Sequence, residues 1–159
     1  MGKMRRRDRE ITDSAEIDRV ILSCGCCRLG FSQPDGAYIV PLSFGYSHGQ
    51  GERVFHFHGA KDGRKIDLIK VNPLAGFELD TGYELVPAEE ACGFSARFVS
   101  VIGTGIIRIL KGRAEKARSL AQIMEHATGR GDWTFSERAL DSAAVFTLTV
   151  LEISCKAHP

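Results

Sequence analysis

The sequence lacks any apolar run of membrane-spanning length; its longest apolar stretches are interrupted by Gly, Arg or Ser, which excludes a helical membrane protein. The first twenty residues lack the apolar segment of a secretory signal, so a soluble, cytoplasmic protein is expected. Net charge is also scarce, at +1 from 21 Lys and Arg against 20 Asp and Glu. Moreover, residues 1–9 hold Lys3, Arg5, Arg6, Arg7 and Arg9 against Asp8 alone, so the rest of the chain is net negative. That distribution excludes a basic nucleic-acid-binding body and leaves a solvated basic arm over about residues 1–10. Internal repeats, linkers and low-complexity segments are absent too. The 159 residues, 43% apolar and 26% charged, therefore predict one globular domain over 1–159.

Cysteine is present in an odd number, five, with three crowded as Cys24, Cys26 and Cys27. Without a signal peptide, free thiols are expected rather than a disulfide scaffold. A structural zinc site wants four ligands in paired knuckles, and Cys92 and Cys155 stand alone, so no metal is assigned.

Local signals place the elements. Asp13 with Glu16 resembles a capping box, and Ile17, Val20, Ile21 and Cys24 follow at helical spacing. The period then switches to strands over 27–31 and 37–46 around a Pro34-Asp35-Gly36 turn, and over 53–58 after Gly49-Gln50-Gly51. A short helix ends near Asn72-Pro73, and strands follow over 74–79, 94–102 and 105–110, with a kink or bulge at Gly103 and Gly105. A second helix over about 113–128 presents Ala117, Leu120, Ala121 and Met124 on one face, with Gly129 as its cap. Ser136 starts a short helix, and 145–153 closes the chain as a strand. Strands in hairpin order with few helices predict a mainly β fold, an antiparallel barrel with flanking helices.

Chemistry concentrates in 53–72. Strand alternation turns Phe55 and Phe57 to the core and His56 and His58 to the other face. The following loop, Gly59-Ala60-Lys61-Asp62-Gly63, leads into a helix whose first residues are Arg64 and Lys65. Helix N-termini carry partial positive charge and unpaired N–H groups, so basic residues there are unfavourable unless an anion offsets them. The segment reads equally as a phosphate cradle or as solvated surface bases. Gly103-Thr104-Gly105 has Arg108 at the third glycine position of a dinucleotide fingerprint, and a strand follows, which argues against a Rossmann site. No nucleophile elbow is present. Trp133, the single tryptophan, is expected to plug the core.

Five segments together resemble the nitroimidazole-resistance proteins, members of the pyridoxamine-5′-phosphate-oxidase-like flavin-binding split barrels. They are Arg6-Arg7-Asp8-Arg9-Glu10-Ile11, Cys27-Arg28-Leu29-Gly30-Phe31, Tyr38-Ile39-Val40-Pro41-Leu42-Ser43-Phe44-Gly45-Tyr46, Phe57-His58-Gly59-Ala60-Lys61-Asp62-Gly63-Arg64-Lys65-Ile66-Asp67 and Ser100-Val101-Ile102-Gly103. The resemblance covers nearly the whole chain. It implies a six-stranded antiparallel split barrel that forms a homodimer and holds FMN (FAD being possible) in a groove between subunits. By position it implies that Tyr38, Val40, Pro41 and Leu42 run beside the flavin, that His58 and Gly59 lie next to it, and that Lys61, Arg64 and Lys65 hold its phosphate. Val99 and Ser100 would contact the flavin from the paired subunit, and His58 would take the catalytic, substrate-side position.

The chain departs from the vitamin B6 oxidases, which have arginine at the Tyr38 position, glutamine at Phe98 and a carboxy-terminal substrate motif absent here. The resemblance therefore implies an FMN-dependent oxidoreductase acting on a small nitroaromatic compound. Its alternatives are a non-catalytic flavin or haem-binding sensor, favoured by the cysteine cluster and His56, and a pyridoxamine-phosphate-type oxidase.

Overall fold

The computed structural model describes residues 6–158; Lys3 and Arg5 of the basic arm lie outside them. The arm's remainder is structured: Arg7–Arg9 form a single 3-10 turn and Glu10–Ile11 (β1) pair with the chain's final strand. Helix α1, Ser14–Ser23, starts where predicted, the Asp13 carboxylate accepting the Glu16 N–H at 2.8 Å. Ile17 and Ile21, one turn apart, bury its inner face.

The strands are β2 (Cys27–Gln33), β3 (Gly36–Leu42), β4 (Gly45–Gly49), β5 (Glu52–Ala60), β6 (Leu74–Val86), β7 (Ser95–Ile109) and β8 (Ala143–His158). Helix α2 (Arg64–Val71) lies between β5 and β6; α3 (Arg113–Thr128) and α4 (Glu137–Ser142) lie between β7 and β8. All pairings are antiparallel, in the order β3-β2-β6-β7-β8-β5-β4, with β1 on β8. β3 and β4 are thus opposite edges of the sheet, yet only Ser43 and Phe44 separate them in sequence. Three Cα–Cα steps reach about 11 Å at most, so the sheet must curl until its edges nearly meet. The edges do not pair, which leaves a barrel that is split rather than closed.

The predicted strand over 37–46 is therefore two strands. β3 follows β2 and β4 follows β5, and at the crossing Phe44 turns into the core, where it is 2% exposed. With β1, this makes eight strands among the described residues rather than six. Nor is β7 broken at Gly103 and Gly105: it pairs with β6 in unshifted register through both. The irregularity belongs to β8, where Leu151 is the extra residue between the partners of Thr104 and Gly105.

The core is built from β-strand alternation and is strongly aromatic. Phe55 meets Phe44, Tyr46 and Phe77 at ring centroid distances of 5.6, 5.2 and 5.0 Å, and Phe57 stacks on Phe146 at 5.4 Å. Helix α3 packs outside β4 and β5. Its deepest residues are Ser119 and Ile123, flanked by the half-buried Ala117, Leu120, Ala121 and Met124 of the predicted face. Close docking requires Gly45: a Cβ there would strike the α3 backbone at Gln122 and Ile123. Glu115 fixes the start of α3 by accepting the Lys111 and Gly112 N–H groups at 2.7 and 3.0 Å. Those bonds, first that of Gly112, together with Arg108, pull its carboxyl down to about 2. Gly129 ends α3 in a left-handed conformation and Ser136 caps α4, as predicted.

Trp133 is not a core plug. It is 38% exposed, lies beneath the Arg130 guanidinium at 5.0 Å, and donates from Nε1 to Thr128 at 3.3 Å. No helix of the described residues is long and apolar enough to cross a membrane.

Candidate functional site

β5 delivers His58 and Gly59 to the point where α2 begins. Helix α2 has no side-chain cap; Gly63 occupies the cap position, and its carbonyl accepts from Ile66 and Asp67 at 2.9 and 3.2 Å. The first turn presents Arg64 and Lys65, with Asp67 the single acid at its far side. Electrostatically this end is doubly positive, from the helix dipole and from two cations.

The side chains of this turn tie it to its neighbours. Arg64 donates from Nη2 to the Gln33 amide oxygen at 2.5 Å, and its guanidinium lies 4.9 Å from the centre of the Tyr38 ring. Helix α2 is thereby tied to the β2–β3 hairpin. Lys65 lies across Gly59, where a Cβ would come within 2.8 Å of its Cε and 2.9 Å of its Nζ. Residue 59 must therefore be glycine if Lys65 is to keep this path, and that contact ties α2 to the end of β5.

The structure thus brings Tyr38, Gly59, Arg64 and Lys65 together, while His58, next to Gly59 on β5, turns its side chain to the other strand face. Val40 and Leu42 continue along the same face of β3, half-buried against the core, while Pro41 points outward. Lys61 is exposed in the intervening loop, and its charge also acts on Asp141 of α4, whose carboxyl is lowered chiefly by its bond to Arg113. Val99 and Ser100 are not brought to this cluster within one chain. They lie on β7, separated from β3 by β2 and β6, about 14 Å from strand spacing alone.

The two histidines of β5 differ sharply despite sharing a face. His58 is exposed, whereas His56 lies beneath α3. Its ring nitrogens are 2.9 Å from Ser47 Oγ and 2.9 Å from Ser119 Oγ. Burial pushes the His56 pKa down to about 4, so the ring is neutral at pH 7. Ser47 meets His56 across the β4–β5 hairpin, whereas Ser119 had no sequence signal pointing to it, because it meets His56 only through the docking of a helix more than fifty residues away.

The cysteines are free, as expected, and mostly inaccessible. Cys24, Cys27 and Cys155 are buried, Cys26 is half-buried and Cys92 is exposed. Burial raises the thiol pKa of all three buried residues, that of Cys155 to about 11. Among the described residues, no three His, Cys, Asp or Glu side chains converge as a metal-ligand set.

Comparison with known proteins follows the same lines. The sequence profile of the pyridoxamine 5′-phosphate oxidase family matches residues 13–157. No curated protein matches the chain. Among solved structures, it is similar to a candidate 5-nitroimidazole antibiotic resistance protein from Bacteroides thetaiotaomicron, with 26% identity and a TM-score of 0.80 over 93% of this chain and 86% of that one. It is also similar to the flavocytochrome Anf3 from Azotobacter vinelandii, at 19% identity and TM-score 0.80, covering 99% of this chain and 72% of that one. A FAD and haem binding protein from Mycobacterium smegmatis has 14% identity and TM-score 0.79, covering 94% and 73%. At the latter two identities the likeness is one of fold.

Proposed function

The chain belongs to the pyridoxamine 5′-phosphate oxidase family, and from that premise we propose that it is a homodimeric, FMN-dependent oxidoreductase reducing the nitro group of a small nitroaromatic compound. The observation that carries this reading is the uncapped start of α2, where Arg64 and Lys65 are added to the positive end of a helix beside Tyr38 and Gly59. Such a surplus of donors and positive charge fits a phosphate monoester. Lys61 adds a third cation at the loop.

Bound FMN would supply the electron transfer, as cofactors do in such enzymes. The protein's part is to anchor and orient. Arg64 and Lys65 would take the phosphate, the strand carrying Tyr38, Val40, Pro41 and Leu42 would run beside the ring, and His58, exposed at the end of β5, would meet the substrate as the catalytic residue. Val99 and Ser100 would come from a second copy of the chain. A row of exposed apolar side chains on that strand face, Ile102 and Ile106 of β7 with Leu74 opposite Ile106, supports such an association. Five free cysteines fit a reducing, cytoplasmic setting.

Two positions favour the nitro-reducing reading over oxidation of a vitamin B6 phosphate. Tyr38 uses its ring to support Arg64, and Phe98 packs against His158 at 6.0 Å and Lys156 at 5.3 Å, so neither position supplies the arginine or glutamine of those oxidases. A haem-linked sensor loses the features that favoured it, since Cys24 and Cys27 are buried and both His56 ring nitrogens are engaged.

The test is an absorbance spectrum of the purified, FMN-reconstituted protein, followed by anaerobic reduction and addition of a 5-nitroimidazole. A flavin spectrum that reoxidises on addition of the drug is expected, and replacing both Arg64 and Lys65 by alanine should weaken FMN binding by roughly 100-fold or more, from two charge-assisted contacts. A reduced flavin indifferent to the nitro compound would remove the substrate, and undiminished FMN affinity in the double variant would remove the cradle.

A further inference from the structure

A helix packed on a sheet is expected to bury apolar side chains between the two layers. Beneath part of α3 the apolar contacts around Ile123 give way to polar ones. Polar side chains line this stretch from four adjacent strands: His56 on β5, Thr147 on β8 and Arg108 on β7 in one row, and Ser47 on β4 diagonally beside His56. The registers place His56 opposite Thr147 and Thr147 opposite Arg108. Helix α3 answers with Ser119, only 2% exposed, and with Arg118 and Gln122. Between the layers is an open cleft of about 480 Å³, within the size range of small-molecule sites.

The floor of the cleft is a hydrogen-bond relay. A neutral imidazole has one donor and one acceptor nitrogen, so one of Ser47 and Ser119 accepts from His56 and the other donates to it. The accepting serine keeps its own hydroxyl proton free to turn into the cleft. Thr147 adds a hydroxyl next to His56. The mouth is positive: Glu115 is committed to Arg108 at 3.0 Å and to the N–H groups of Lys111 and Gly112 just ahead of its helix, while Arg118 makes no ion pair among the described residues.

We propose that this cleft is a second ligand site, independent of the Arg64–Lys65 cluster, for a small hydroxylated oxyacid whose carboxylate or phosphate meets Arg118 and whose hydroxyl or carbonyl oxygen meets the Ser47–His56–Ser119 relay. An oxyacid complements the unpaired cation, and a neutral oxygen function complements a floor that carries donors and acceptors but no charge. An apolar ligand would offer no partner to the free hydroxyl proton of the accepting serine.

Calorimetric titration of the FMN-loaded protein with glycerate and with glycerol 3-phosphate tests this, the pair distinguishing the two oxyanions. Binding of at least one probe is expected. Arg118→Gln, an exposed change that leaves the core intact, should weaken it about tenfold, the effect of one lost charge-assisted contact. Bound probe should also shift the His56 ring ¹⁵N resonances, because fixing one serine selects one tautomer. The double replacement of Arg64 and Lys65 by alanine should leave the affinity for the probe within about twofold, whatever it does to FMN. Failure of both probes to bind at millimolar concentration overturns the proposal. So does binding that survives Arg118→Gln but is lost with Arg64 and Lys65, which would place the anion in the α2 cradle.

Discussion

Protonating His56 should unfasten part of the fold, and the magnitude can be worked from its setting. Folded, the ring is held between Ser47 and Ser119 with its pKa pushed by burial from the ordinary 6.5 to about 4. Unfolded, it returns to the ordinary value. Above pH 7 neither state binds the proton and His56 contributes no pH dependence. As the pH falls from about 6.5 to about 4, the unfolded chain binds a proton that the folded chain refuses, so folding stability declines across that window. Below about pH 4 both states are protonated and the loss is complete. At about 1.36 kcal/mol per pH unit the ceiling is about 3 kcal/mol, and because the cleft leaves the ring partly open to water, screening brings the expected loss to about 2 kcal/mol. The assay is urea denaturation at fixed protein concentration between pH 7.5 and 4.5, comparing the native chain with His56→Asn. Asparagine keeps one donor and one acceptor for the serines, and the remaining histidines and carboxylates titrate alike in both proteins. The native chain should lose about 2 kcal/mol more than the variant over this range, all of it below about pH 6.5. Parallel stability profiles would refute the reasoning and place the His56 ring in contact with bulk water.

Two other perturbations probe the architecture. Gly45→Ala places a methyl group against the α3 backbone at Gln122 and Ile123, neither of which can yield without moving the helix, so a loss of about 1–3 kcal/mol is expected in thermal or chemical denaturation. An unchanged midpoint would mean that α3 docks less closely than described. In the native protein a thiol reagent at pH 8 should label Cys92 rapidly, Cys26 more slowly, and Cys24, Cys27 and Cys155 only after unfolding, because burial both shields those three and raises their pKa. Five rapidly reacting thiols would contradict the burial of Cys24, Cys27 and Cys155 in the core.

What could be read from the sequence was whatever the chain states locally. The Asp13 cap, the Asn72-Pro73 stop, the left-handed Gly129 and the Ser136 cap each depend on a few neighbouring residues, and each is found where its pattern puts it. The inward turn of Phe55 and Phe57 is equally local, a consequence of strand period. The division of 37–46 into β3 and β4 is not. Its apolar pattern runs on without a break, and what bends the chain at Ser43-Phe44 is that β2 and β5, the partners of the two halves, lie on opposite sides of the split. The exposure of Trp133 follows likewise from where the loop after α3 happens to run. For the site, the basic start of α2 was legible because it violates a local electrostatic rule. By contrast, the Arg64–Tyr38 and Lys65–Gly59 contacts depend on the path of side chains across elements.

The same distinction separates His56 from His58, which no sequence rule could do. They share a strand face and differ by one pleat repeat, about 7 Å along β5. Their chemistries diverge because α3 ends its coverage between them. Gly45 lets the helix backbone settle on β4, and that depth of docking carries Ser119 to 2.9 Å from the His56 ring. Glu115, pinned by the N–H groups of Lys111 and Gly112, fixes where the helix begins and hence how far along the sheet it reaches. His58, beyond that reach, stays exposed next to Gly59 at the end of β5. One strand therefore supplies two unlike imidazoles, an enclosed neutral one that takes part in a relay and an open one available to a ligand. A single glycine on a neighbouring strand decides which is which. Any change that lifts α3, Gly45→Ala foremost, should make His56 behave more like His58, its ring regaining water and its pKa rising from about 4 toward 6.5. NMR titration of the His56 ring in that variant would register this directly, and a His56 pKa that stayed near 4 while stability fell would show that the ring is shielded by β4 and β8 rather than by the helix.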